Sequence, residues 1–241
     1  MGHYEKAWQA VRERVAAAAS AAGRPPEDVH LLAVSKTFPA DAVRAVYLAG
    51  QRAFGENYVQ EAAAKRAALA DMTDAAWHLI GPLQSNKTAL AAATFDWVES
   101  VDRLRIAQRL SAQRPAGLAP LNICIEVNVS GEASKSGVAA DEALGLAREV
   151  AALPNLRLRG IMGIPAPTLD VAQARAQFAR LRECFVACRA AGLAVDTLSM
   201  GMSADLEPAI AEGATEVRVG TAIFGAREVG SDSTYFARNS G

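Results

Sequence analysis

Lys36 follows the apolar run Leu31-Leu32-Ala33-Val34 and sits in the stretch Ser35-Lys36-Thr37. An amine held in partly apolar surroundings has its pKa lowered, because desolvation disfavours the ammonium. A neutral amine can attack an aldehyde and form a Schiff base. A lysine that merely ends a strand and points to solvent is the alternative that its position leaves open. Two glycine-containing turns follow much later, Ser199-Met200-Gly201-Met202-Ser203 and Val219-Gly220-Thr221. Glycine lets a backbone approach a ligand closely, and a helix N-terminus presents unpaired N–H groups to an anion such as phosphate. Two tight turns chosen for geometry alone would look the same. Arg218 precedes Gly220 by two residues, so in a strand both share a face, with Val217 and Val219 on the other. If Gly220 faces a ligand, Arg218 does too. An inward guanidinium is costly unless it meets an acceptor, which a ligand or a carboxylate could supply.

Other polar residues gather at the ends of apolar runs: Glu56-Asn57, Glu99-Ser100, Glu126 with Asn128, and Lys135-Ser136-Gly137. Lys135 reads as an anion contact or as a plain loop lysine. His78 lies between Trp77 and Leu79 and reads as a core histidine with a satisfied ring. His3 and His30 read as structural or exposed. The three histidines have no ligand spacing among them, so no metal site is expected. Cys124, Cys184 and Cys188 do not form a disulfide framework, and C-x3-C is neither a zinc nor a redox spacing. Cys184 and Cys188 follow Phe178 and Leu181 at helical intervals and read as buried thiols, as does Cys124 in its apolar run.

The elements that must carry these residues alternate. Trp8, Val11, Val15, Ala18 and Ala22 make one apolar helix face, closed by Gly23 and Pro25-Pro26. Strands are then predicted at 29–34, 52–55, 77–80, 97–101, 121–129, 156–164, 197–200 and 215–219, with 121–129 read as the longest. Helices are predicted at 39–49, 58–69, 85–93, 102–112, 140–153, 168–191 and 203–212, and a last turn at 222–226. Asp102 and Ser203 are the expected caps of their helices. Such alternation implies a parallel sheet, and eight repeats imply closure. The predicted fold is therefore an α/β chain, a single (β/α)₈ TIM-type barrel with an extra N-terminal helix. A doubly wound open sheet is the alternative. Chemistry in such barrels sits where strands end, and a phosphate site often lies after strands seven and eight.

The bulk numbers agree. The 241 residues suit one such barrel, typically about 250 residues. Hydrophobic residues make up 51%, enough for a large core, and charged residues 21%. A net charge of −1 without clustered Lys and Arg gives no footprint for nucleic acid or an anionic membrane. Residues 1–23 lack the apolar segment of a signal peptide, and no apolar stretch would span a bilayer, so a cytoplasmic location is expected. Residues 1–229 are expected to form the barrel domain, with 230–241 as a flexible tail.

The sequence resembles the pyridoxal phosphate homeostasis protein family, related in fold to the N-terminal domain of bacterial alanine racemases. The resemblance spans nearly the whole chain in ordered motifs. They are Ala33-Val34-Ser35-Lys36-Thr37, Phe54-Gly55-Glu56-Asn57-Tyr58-Val59-Gln60-Glu61, and Trp77-His78-Leu79-Ile80-Gly81-Pro82-Leu83-Gln84-Ser85-Asn86-Lys87. Val127-Asn128-Val129, Lys135-Ser136-Gly137, Leu198-Ser199-Met200-Gly201-Met202-Ser203 and Val217-Arg218-Val219-Gly220-Thr221-Ala222-Ile223-Phe224-Gly225 follow.

The resemblance implies a pyridoxal 5′-phosphate (PLP) cofactor held as a Schiff base on Lys36. It implies a phosphate against Ser203, Gly220 and Thr221, with Ser199 and Met200 beside it. Arg218 would meet the pyridine nitrogen, and Asn57 and Asn128 the ring. Arginine stays protonated and cannot accept, so it favours an unprotonated nitrogen and weakens the cofactor as an electron sink. The implied role is PLP homeostasis or delivery, with apo PLP-dependent enzymes as recipients, no catalytic residues, and a monomer or weak dimer. A low-activity racemase is an alternative, but it needs a second base, which alanine racemases draw from a further β-rich domain not expected here. Only Tyr58 could stand in. A Schiff-base aldolase-type barrel enzyme and a pure interaction module are the others. Lys65 and Lys87 are candidates for a second cofactor site but read as solvated surface lysines.

Overall fold

The computed structural model describes residues 2–131 and 136–226. Lys135 and the expected tail at 230–241 lie outside them. Eight strands form a closed, all-parallel barrel in sequence order. They are β1 (His30–Val34), β2 (Ala53–Glu56), β3 (Ala76–Leu79), β4 (Trp97–Val101), β5 (Leu121–Glu126), β6 (Leu156–Met162), β7 (Thr197–Ser199) and β8 (Glu216–Val219). Closure comes from β8 pairing with β1, Leu31 opposite Val217 and Leu32 opposite Arg218.

The helices are α1 (His3–Ala21), α2 (Ala40–Leu48), α3 (Val59–Ala68), α4 (Thr88–Thr94), α5 (Leu104–Gln113), α6 (Ala143–Ala151), α7 (Val171–Ala190), α8 (Leu206–Ala211) and α9 (Thr221–Phe224). Each buries one stripe. In α1 it is Trp8, Val11, Val15 and Ala19; in α7 it is Ala174, Phe178, Leu181, Cys184 and Cys188. The extra helix α1 packs against α2, α8 and α9, across the seam where the first and last strands meet. Trp8 Nε1 donates to Gln51 Oε1 at 2.8 Å, and Gln51 Nε2 donates to the carbonyls of Leu31 and Ala53. That ties α1 to the edges of β1 and β2. The three cysteines are free and buried. No helix among the described residues is long and apolar enough to cross a membrane.

Four details differ from the sequence reading. The longest strand is β6, seven residues against six in β5. The 85–93 helix splits into a 3₁₀ turn, Ser85–Lys87, and α4. Asp102 does not cap α5: its carboxylate takes Arg103 Nη1 at 2.8 Å, and Arg103 holds the cap position. Ser203 does not cap α8, which starts at Leu206 after Asp205. Asp205 spends its own carboxylate on the Met202 N–H at 2.6 Å, a turn that leaves Ser203 one loop short of the helix.

The barrel interior is unusual. Apolar β/α barrels fill it with branched aliphatics. Here Leu32, Val34 and Ile80 form only a small apolar cluster. His78, Glu99, Ser199, Glu216 and Arg218 are buried polar residues. Val217 and Val219 pack outward into the main core, so the strand period places Arg218 inside, as expected.

Candidate functional site

A cavity of about 340 Å³ opens at the C-terminal ends of the strands. Its lining includes Lys36, Asn57, Ser203, Arg218, Gly220 and Thr221, among apolar walls from Val34, Phe38, Ile80, Ile164 and Met202. That volume lies within the range of small-ligand pockets. A second cavity, about 900 Å³, opens at the opposite end and is lined by Trp8, His78, Trp97 and Glu216. It is larger, but the predicted site residues converge on the smaller one.

Lys36 leaves the end of β1 on a turn braced from both sides. On one side Ser35 Oγ donates to Glu56 Oε1 at 2.6 Å. On the other, the Thr37 N–H donates to Glu61 Oε1 at 2.6 Å. Lys65 sits between them: its Nζ donates to Glu56 Oε1, Glu61 Oε1 and the Ser35 carbonyl at 2.7–2.8 Å. Lys65 is therefore no solvated surface lysine; it is 6% exposed. Burial lifts the Glu56 carboxyl above its ordinary value, although the charge and hydrogen bond of Lys65 oppose this. Thr37 has φ +69°, a strained conformation for a β-branched residue. Such strain costs about 1–3 kcal/mol and persists only where neighbours over-determine it, as the clamp does here. Lys36 itself is half-buried.

Arg218 forms part of the cavity lining and is 3% exposed. Its Nη1 donates to Ser199 Oγ at 2.7 Å and its Nη2 to the Gly163 carbonyl at 2.9 Å. Ser199 Oγ in turn donates to Glu99 Oε2 at 2.6 Å, and Glu99 Oε1 meets His78 Nδ1 at 2.6 Å. Burial alone would raise the Glu99 carboxyl. The His78 hydrogen bond and charge, with Arg218 and Ser199, bring it below its ordinary value. Glu216 goes the other way, pushed well up by burial and by the Glu99 charge.

Two glycines shape the mouth. A Cβ on Gly81 would lie 2.6 Å from the Asn57 carbonyl oxygen, so only glycine lets the turn after β3 press Asn57 into place. Gly201 has φ +94°, and a Cβ there would meet Ala209 Cβ at 2.5 Å. The Ser203 carbonyl is held from α1 by Arg14 Nη1 at 2.8 Å, while Arg14 also pairs with Glu207.

Lys36, Asn57, Ser203, Arg218, Gly220 and Thr221 thus come together. Ser199 lies below the cavity as the partner of Arg218, and the Met200 side chain packs in the main core. Asn128 stands on the loop after β5, where its Oδ1 accepts from Ser130 Oγ and the Gly131 N–H. Sequence reasoning placed Glu126 among the polar strand-end residues but gave it no role; it ends β5, and burial pushes its carboxyl up to about 7 with help from Asp102 and against Arg218. It also missed Lys65 as a brace, although Val59, Ala62, Lys65 and Leu69 keep helical spacing and share the buried face.

The family model for the N-terminal domain of alanine racemase matches residues 7–228. A pyridoxal phosphate homeostasis protein of Pseudomonas aeruginosa is 61% identical over 224 residues, 93% of this chain and 96% of that one. One of Escherichia coli K12 is 54% identical over 225 residues, 90% and 94% of the two chains. PipY of Synechococcus elongatus, solved with PLP bound, superposes with a TM-score of 0.77 at 41% identity, covering 88% of this chain and 100% of that one. Alanine racemase of Corynebacterium glutamicum shares the fold, with a TM-score of 0.62 at 20% identity over 92% of this chain and 62% of that one.

Proposed function

Because the chain belongs to the pyridoxal phosphate homeostasis protein family, built on the alanine racemase N-terminal domain, we propose that it holds PLP as a Schiff base on Lys36 and serves intracellular PLP supply. The observation that carries this reading is the donor set of the mouth cavity. One lysine, one buried arginine and a Ser-Gly-Thr edge surround apolar walls. Those donors fit a flat aromatic aldehyde with a phosphate tail.

The roles divide by chemistry. Lys36 would hold the aldehyde carbon, its turn kept rigid by Lys65, Glu56 and Glu61. Ser203, Gly220 and Thr221 would take the phosphate, with Ser199 and Met200 behind them. Asn57 and Asn128 would flank the ring. Arg218, anchored on Ser199 and Gly163, would face the ring nitrogen and leave it unprotonated. The bound group supplies an electrophilic carbon that amines can exchange on.

A holder fits the tyrosines better than a racemase does. Tyr58 is 58% exposed and outside the cavity lining, Tyr4 packs on Phe224, and the Tyr47 hydroxyl donates to Asp74. Tyr235 lies outside the described residues. We read residues 1–229 as the cofactor-binding domain. Apo PLP-dependent enzymes in the cytoplasm would be the recipients, and a monomer or weak dimer would be the working form.

The test is a visible spectrum of the purified protein, then borohydride reduction and peptide mapping. A yellow protein that yields a pyridoxyl adduct on Lys36, absent in Lys36→Ala, is expected. A colourless protein that gains no adduct on incubation with PLP would overturn the reading. Rapid α-proton exchange of alanine in deuterium oxide would convert the holder into a racemase.

A further inference from the structure

We propose that the N-terminal end of the barrel binds a divalent metal ion of the zinc class on His78, Glu99 and Glu216. The proposal is independent of the cofactor reading. The three residues come from β3, β4 and β8, so barrel closure is what assembles them. Each offers one ligand atom, and these atoms lie within 4.8 Å of one another. All are buried, at 3%, 0% and 5% exposure.

A second observation points to a ligand. Glu216 Oε1 is buried and has no hydrogen-bond donor among the described residues. A buried acceptor left unmade is costly. Glu216 and His78 also line the 900 Å³ cavity that opens at this end, so an ion has a route from solvent.

Charge counting favours a cation. Arg218, through Ser199, offsets Glu99. Glu216 has no such cation: among the described residues the one basic nitrogen paired with it is His78 Nδ1 at 4.0 Å, which already serves Glu99 at 2.6 Å, and the Glu99 carboxylate beside it only adds negative charge. Two carboxylates and a neutral imidazole match a divalent ion's charge among the ligands themselves, with Arg218 held farther off behind Ser199. One nitrogen with two oxygens suits zinc better than magnesium or calcium, which prefer oxygen alone. A fourth position would face the cavity and hold water, as open zinc sites do.

The supporting contacts are of the kind that orient ligands. The His78 ring stacks on Trp97 with centroids 4.9 Å apart and planes 7° apart. Glu99 keeps its other oxygen on Ser199. Metal–ligand bonds of about 2.0–2.2 Å require the 2.6 Å His78–Glu99 contact to open modestly and Glu216 to move inward.

The experiment is equilibrium dialysis of chelator-treated protein against zinc, with elemental analysis, followed by cobalt substitution and its visible spectrum. One tight equivalent is expected, weakened at least about tenfold in Glu216→Gln and unchanged in the surface control Glu207→Gln. The cobalt spectrum should show nitrogen and oxygen ligation. Failure of the wild-type protein to take up zinc beyond non-specific background would overturn the proposal, whatever the variants do. So would equal binding by folded Glu216→Gln, or an intense thiolate band assigning the ion to a cysteine. If Glu216→Gln does not fold, His78→Gln replaces it in the same comparison.

Discussion

Replacing Glu126 by glutamine removes a carboxyl that the fold keeps protonated into the neutral range. Glu126 is 7% exposed at the end of β5. Burial, aided by the Asp102 charge and opposed by Arg218, lifts its pKa from 4.5 to about 7. Between those values the folded chain keeps a proton that the unfolded chain releases. Stability therefore falls as pH rises through that window and is level above and below it. Two and a half pH units at about 1.4 kcal/mol each bound the cost at about 3.5 kcal/mol. Glutamine keeps the shape and cannot ionise. Urea unfolding of cofactor-free wild type and Glu126→Gln should therefore differ by up to about 3.5 kcal/mol at pH 8, with the variant more stable. At pH 5 the gain should shrink below about 1 kcal/mol, with equal m-values in both proteins. A gain of equal size at both pH values would refute the reasoning. A variant less stable at pH 8 would refute it too, because Glu126 would then be a well-paired carboxylate.

Gly81→Ala forces a Cβ to within 2.6 Å of the Asn57 carbonyl, and thermal melts should show a loss of about 1–3 kcal/mol, together with weaker PLP binding by absorbance titration. Lys65→Met removes one donor from each of three acceptors and leaves Glu56 buried without a cation. Denaturant unfolding should record a loss of about 3–5 kcal/mol, and an unchanged midpoint would mean that the clamp is unimportant. Ser199→Ala removes the hydroxyl between Arg218 and Glu99; it should cost about 1–3 kcal/mol and shift the absorbance of bound PLP, and an unaltered spectrum would show that Arg218 needs no such anchor.

Local periodicity determined a good deal by itself. Alternating apolar runs predicted eight strands and the helices between them, because a strand or helix declares its buried face within a few residues. The same period put Arg218 and Gly220 on one face, and the barrel mouth gathers them with Lys36 and Ser203. The start of α8 and the surroundings of Lys65 were less legible. Asp205 and Ser203 are both good caps, and only the Met202 turn decides between them. Lys65 lies on the apolar stripe of α3, yet its charge argued for solvent until Glu56 and Glu61 appeared around it.

The interior polar network belongs to the tertiary structure alone. A strand's period says that Glu99 and Glu216 face inward, but not that they face each other. They stand 117 positions apart in the chain, and closure of β8 onto β1 sets which side chains meet across the barrel. Interactions over that separation leave no trace in spacing, because the force that joins them acts through space and not along the chain.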